Sequence, residues 1–323
     1  MKRAALIYNP IKADPDELKK LVKQAEQANG WDETLWFETT EEEPGGSQAE
    51  DALKQKADLI IAAGGDGTVR VIAEVMRGTG IPLALLPSGT GNLLARNLDL
   101  TLDDVEHALD TAFTGTDRPI DMGVIEIRDG DAGTRRHGYL VMAGLGLDAK
   151  MLANTDEDLK AKAGWLAYVK AIGAALRDEN QLHLRYRLDG RSIRSVRAHT
   201  IMIGNCGSLP ANILLLPEAS VDDGEFDIVL LRPEGFVGWL QIMVKIFWEN
   251  GVLRRTTAGQ KLMGLTKEVR ALNYLKGKEL VLKLSRPEEV ELDGDSFGRA
   301  TAIRTWVDPK SLLVRIPAEA APA

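Results

Sequence analysis

The chain opens on an apolar run, Ala4 to Tyr8, and two more follow at Leu59–Ala63 and Ile81–Leu86. Short uninterrupted runs of this kind are the pattern of strands buried on both faces of a parallel sheet. Pro15 to Ala28 is a well-marked helix, with Asp14 at the N-cap, Pro15 at N1, Glu17 at N3 and Gly30 past the end. Val69–Met76 and Leu93–Leu98 each continue helically from a loop, and Thr101-Leu102-Asp103-Asp104 opens a further helix ending near Gly115. This alternation over residues 1–118 predicts an α/β domain, a parallel sheet covered by helices.

After Arg118-Pro119 the pattern changes. Val124-Ile125-Glu126-Ile127 and Tyr139-Leu140-Val141-Met142 flank the turn-rich Asp129-Gly130-Asp131. Leu182 to Leu188 alternates apolar and polar residues and meets Asp189-Gly190, a hairpin signal. Ile228–Leu231, Leu280–Leu284 and Leu312–Ile316 add strands, with helices near 158–177 and 236–248. The expectation for residues 119–302 is a second, mostly antiparallel β domain. The tail from Pro317 is rich in Ala and Pro, and residues 319–323 are expected to be disordered.

Two junctions of strand and helix carry the chemistry. Gly64-Gly65-Asp66-Gly67-Thr68 follows the second apolar run and leads straight into a helix. Glycines leave room for an anion to approach, and the N–H groups of a helix N-terminus point at it. Asp66 is placed to hold a metal ion beside phosphates. One βα unit later, Pro87-Ser88-Gly89-Thr90-Gly91-Asn92 repeats the arrangement. Adjacent parallel strands would set the loops side by side at the carboxyl edge of the sheet, where open α/β folds bind ligands.

Composition narrows the class of partner. The 323 residues suffice for two domains with cores, and 44% hydrophobic with 27% charged residues is ordinary for a globular protein. A formal charge of −8 argues against nucleic acid, which demands basic patches. The one cysteine, Cys206, cannot form an internal disulfide and suggests a reducing compartment. Four histidines show no metal-ligand spacing, and the Gly-Lys-Ser/Thr of Walker-type ATPases is missing. Phe236 to Trp248 falls short of the roughly 20 apolar residues that span a bilayer. It is either an amphipathic interfacial helix, followed by Arg254 and Arg255, or a core helix of the second domain.

The paired loops resemble those of the diacylglycerol kinase catalytic-domain family, which includes bacterial soluble lipid kinases and sphingosine and ceramide kinases. The first loop alone is shared with NAD kinases. Asn9-Pro10, Ile120-Asp121, Asp222-Asp223-Gly224 and Asp293-Gly294-Asp295 extend the likeness over nearly the whole chain. The chain departs from the pattern at Ile11-Lys12-Ala13-Asp14, at Arg70 and Val71 where many members read Asn-Glu, and at Leu93 where some carry an acid.

The resemblance implies a two-domain lipid kinase using ATP and Mg2+, in which residues 303–318 return to the first domain. It assigns nucleotide contact to Asn9, Gly64, Gly65, Asp66, Gly67, Thr68, Ser88, Gly89, Thr90, Gly91 and Asn92, with Arg70 and Arg96 as further candidates or ordinary helix residues. It assigns the metal to Asp66, Asp121 and Asp223, although Asp223-Gly224 also reads as an ordinary turn. Asp293 is implied as catalytic base beside Asp66, and Asp293-Gly294 also reads as a hairpin turn. The implied reaction phosphorylates a lipid hydroxyl, diacylglycerol to phosphatidic acid first, with sphingoid bases, ceramide or another lipid alcohol as alternative acceptors. An NAD kinase and a non-catalytic nucleotide sensor are the alternatives. A cytoplasmic protein that touches the membrane surface peripherally to reach its lipid is expected, with a homodimer one oligomeric option.

Overall fold

The computed structural model describes residues 1–11, 15–130, 133–146, 181–209, 213–232 and 272–318. Asp14, Asp131, the two expected helices near 158–177 and 236–248, and the tail 319–323 lie outside the described residues.

The N-terminal unit alternates strand and helix as its apolar pattern predicts. Strands β1 (Arg3–Tyr8), β2 (Asp32–Glu38), β3 (Leu59–Gly64) and β4 (Pro82–Pro87) alternate with helices α1 (Pro15–Ala28), α2 (Gly46–Lys54) and α3 (Asp66–Met76). The strands pair in parallel in the order β4-β3-β1-β2. Every residue of β3 is buried, as expected of a strand covered on both faces. Helices α4 (Leu93–Asn97) and α5 (Val105–Thr114) complete the unit. The Asp104 side chain caps α5 by accepting the His107 N–H at 2.9 Å, and Gly115 ends the helix. The β2 edge strand and α2 have no counterpart in the sequence reading. The β2 strand is only half-buried, with one buried residue, which weakens its apolar signal.

The C-terminal unit is antiparallel. It comprises β5 (Thr116–Arg128), β6 (Thr134–Tyr139), β7 (Met142–Leu145), β8 (Leu182–Leu188), β9 (Arg194–Ala198), β10 (Thr200–Gly204), β11 (Ser208–Leu209), β12 (Ile213–Leu214), β13 (Phe226–Leu231), β14 (Leu272–Gly277), β15 (Glu279–Leu292) and β16 (Asp295–Ile316). Asp189 and Gly190, both at positive φ, make the β8–β9 hairpin that the sequence signals. A core built on Tyr139, Phe226, Leu280, Leu282 and Ile303 fills this unit.

Two long strands join the units. In β16, Ala302–Asp308 pairs with β5 and Leu312–Ile316 pairs with the start of β5, while Leu313 and Val314 also pair in parallel with β4. The return to the N-terminal sheet therefore occurs at about Leu312, nine residues later than Ile303. An irregularity between Asp308 and Leu312, with Lys310 at φ 52°, bends the strand there.

Candidate functional site

Strands β3 and β4 end in register, Gly64 opposite Pro87, so the loops that follow them are neighbours. They touch backbone to backbone: a Cβ on Gly89 would lie 2.8 Å from the Gly65 Cα. A Cβ on Gly64 would strike Thr68 at 2.7 Å, and one on Gly91 would lie 2.3 Å from Asp66 Oδ2. Space, not a left-handed φ, dictates these glycines. Asp66 begins α3 and its Oδ1 accepts the Leu93 N–H at the start of α4. Asn92, at φ 49°, braces the second loop by accepting the Gly89 N–H and donating to the Gly89 carbonyl. Arg96 donates Nε to the Gly91 carbonyl at 2.7 Å, so it props the loop from behind.

The turn between β15 and β16 closes over these loops. Gly65 to Thr68, Gly89 to Gly91 and Asp293 to Asp295 line one cleft of 690 Å3, together with Glu41, Pro44, Arg70, Val71 and Leu93. Asp293 and Gly294, at φ 50° and 95°, form the hairpin turn that the sequence allows. The Asp293 side chain does more than turn the chain. Its Oδ2 accepts the Leu140 N–H, and its Oδ1 accepts those of Val141 and Met142, all at 2.8–2.9 Å. Burial nevertheless pushes its carboxyl up to about 6, against those N–H donors and nearby Arg70, which favour the charged form. A carboxylate poised near neutrality at the wall of a cleft is suited to take a proton. Asp66 is also raised, by burial first and by Asp295 as a like charge, and the Leu93 and Asn92 amides oppose the shift.

The remaining predicted residues are distributed otherwise. Ser88 and Asn92 stand behind the cleft wall as loop supports. Asn9 follows β1, where its side chain accepts the Ile11 N–H, and it is not part of the cleft lining. The metal set Asp66, Asp121 and Asp223 is not brought together. Asp121 is wholly buried and its two oxygens accept the Gly224 and Lys310 N–H groups at 2.6 and 2.7 Å. Asp223 pairs with Lys276 at 2.7 Å, and Asp222 with Arg118 at 2.7 Å. Asp121, Arg118 and Lys276 thus hold the 222–224 turn through its backbone and side chains. Among the described residues no group of three or more His, Cys, Asp or Glu side chains stands ready for a metal. Of Asp66, Asp121 and Asp223 only Asp66 lines the cleft, where a cation whose other ligands came from phosphates would reach it; it is part-buried, and desolvation holds its carboxyl above the usual range.

Glu41 and Pro44, after β2, and Asp295 were missed as cleft residues by the sequence reading. Asp295 had a signal, since it follows the Asp293-Gly294 turn by one residue. Glu41 and Pro44 belong to an ordinary acidic loop and had none. A second cavity, of 710 Å3, lies on the outer face of the β8–β9–β15 sheet and is lined by His183, Arg185, Arg197, Arg232 and Lys283, with no carboxylate among the described residues.

Residues 3–125 match the diacylglycerol kinase catalytic domain, and residues 141–315 match the YegS C-terminal NAD kinase beta sandwich-like domain. The chain belongs to the diacylglycerol kinase catalytic-domain family. A Bacillus subtilis protein named diacylglycerol kinase is 27% identical over 306 residues, covering 92% of this chain and 91% of the relative. An uncharacterized Synechocystis protein is 26% identical over 306 residues, and the match spans 94% of this chain but 60% of that longer relative. The crystal structure of a Bacillus anthracis diacylglycerol kinase superimposes with a TM-score of 0.71 at 21% identity, covering 98% of both chains, which shows the shared fold. No helix among the described residues is long and apolar enough to cross a membrane.

Proposed function

We propose that this family member is a lipid kinase that transfers the γ-phosphoryl group of ATP to the hydroxyl of diacylglycerol, giving phosphatidic acid. One observation carries the reading: two glycine loops of the N-terminal unit and the Asp293 carboxylate of the C-terminal unit meet in one cleft. The loops' amides and the α3 N-terminus receive phosphate. Asp66 would hold Mg2+, which would offset the phosphate charge. The lipid hydroxyl oxygen attacks the γ-phosphorus, its proton passes to Asp293, and the bond to the ADP oxygen breaks with its electron pair leaving on ADP.

The acceptor is a membrane lipid, so contact with the bilayer surface belongs to this reading. The cationic groove supports it. Arg185 stands directly opposite Lys283. Like charges facing across a sheet cost stability unless an anion joins them. Among the described residues Arg185, Arg197, Arg232 and Lys283 have no ion pair. Phosphate-rich headgroups match that face.

The test is incubation of the protein with labelled ATP, Mg2+, a panel of lipid alcohols and NAD. Labelled phosphatidic acid is the expected product. Labelled NADP would overturn the lipid reading in favour of an NAD kinase, and no product with any acceptor would leave a nucleotide sensor.

A further inference from the structure

Helix α3 presents an arginine to the cleft one turn after Asp66. The side chain of Arg70 is only 8% exposed. A guanidinium withdrawn from water needs acceptors for its five N–H donors. Nη1 donates to Glu74 Oε1 at 3.2 Å, and the same oxygen accepts the Gly138 N–H at 2.6 Å. Nη2 lies 3.8 Å from Asp295 Oδ2, close enough for attraction and too far for a hydrogen bond. Nε is buried with no acceptor. The guanidinium rests over the Phe297 ring at 4.5 Å, which fixes its plane. The cation is held in place with donors to spare.

Its partner Asp295 is placed differently. A Cβ on Gly67 would lie 2.9 Å from Asp295 Oδ2, so this carboxylate rests against the first glycine loop. That is the amide-rich mouth of α3, where a phosphate is expected. Asp295 is 54% exposed and follows a hairpin turn, so it can swing away at little cost, whereas Arg70 cannot.

We propose that Arg70 binds the terminal phosphate of the nucleoside triphosphate and that Asp295 is its exchangeable counter-ion. Phosphate oxygens supply the acceptor that Nη2 lacks once Asp295 swings away. During transfer Arg70 keeps its charge and its protons; it stabilises the phosphoryl oxygens while the acceptor O–P bond forms and the ADP O–P bond breaks. The inference rests on the reading of the cleft as a nucleotide site.

The experiment measures binding of ATP and of ADP, each with Mg2+, by calorimetry on the wild type, Arg70→Gln, Arg70→Lys and Asp295→Asn. Charged hydrogen bonds of this kind are worth about tenfold or more in affinity. Arg70→Gln is expected to weaken ATP by about that factor while ADP changes little. Arg70→Lys should restore part of the preference, and Asp295→Asn should tighten ATP severalfold by removing its competitor. Equal losses for ATP and ADP in Arg70→Gln would assign Arg70 to packing alone. Unaltered ATP affinity in Asp295→Asn would overturn the exchange, and this exposed position keeps the test decisive if Arg70→Gln fails to fold. A wild type that binds neither nucleotide would overturn the nucleotide reading itself, a result distinct from all of these.

Discussion

The Asp66 carboxylate accepts the backbone N–H of Leu93 at 2.5 Å, so the acid of the first glycine loop caps the helix that follows the second. A single side chain thereby sets the spacing of both loops. It also leaves Oδ2 facing Gly91, where a Cβ would collide with it.

This double duty separates two variants. Asp66→Asn can still accept the Leu93 N–H and should keep the fold while losing Mg2+-dependent nucleotide binding. Asp66→Ala loses the cap as well and should cost a further ~1 kcal/mol of stability. Thermal melts with and without Mg2+ and ATP check both. Equal nucleotide binding by Asp66→Asn and wild type would remove Asp66 from the metal site.

Loop contact makes Gly89 the most demanding glycine of the site. A methyl group there meets the Gly65 backbone at 2.8 Å, and backbone cannot step aside as a flexible side chain can. Gly89→Ala should force the loops apart, at about 1–3 kcal/mol of stability, and weaken ATP binding. An equilibrium denaturation curve beside a nucleotide titration measures both, and unchanged values would mean that the loops do not act as one unit.

Asp293 should set the acid limb of the pH profile. Its carboxyl is pushed up to about 6, and a base works only when ionised, so kcat/KM should rise with pH through about 6. The stability sign is opposite. The folded state holds this proton more tightly than the unfolded chain, so this residue's stabilising contribution is full below its unfolded value near 3.8 and is lost as pH climbs through about 6. Flat profiles between pH 4 and 7 would contradict both statements.

Replacement of Asp293 by Asn tests the base directly. Phosphoryl transfer should fall by about 10²–10⁴. The structure adds a stability loss that a simple Asp-Gly turn would not show, because an amide cannot accept from Leu140, Val141 and Met142 as a carboxylate does. Turnover close to wild type would confine Asp293 to anchoring the 140–142 backbone.

The cationic groove predicts effects of opposite sign from one substitution. Arg185→Glu places an acid opposite Lys283, which should raise stability by about 0.2–1 kcal/mol. It should also weaken binding to phosphatidylglycerol vesicles, with phosphatidylcholine vesicles as the control. Activity toward a short-chain, water-soluble acceptor should hold. Undiminished flotation with anionic vesicles would remove this face from the membrane contact.

Much of this protein was legible along the chain. Apolar runs at Ala4–Tyr8, Leu59–Ala63 and Ile81–Leu86 became β1, β3 and β4, and Asp104 capped its helix, because burial pattern and capping are local properties. Both glycine loops could be read because a helix N-terminus and a missing Cβ act within a few residues. The sequence signalled the turn at Asp293-Gly294 for the same reason. Tertiary structure alone decided which groups each carboxylate would meet. Asp293 finds its three amides about 150 residues away, Asp121 finds those of Gly224 and Lys310, and Asp295 comes to rest on Gly67. No periodicity encodes such pairings, since they arise where β5 and β16 carry the C-terminal sheet back onto the N-terminal loops and bury acids among amides distant in sequence.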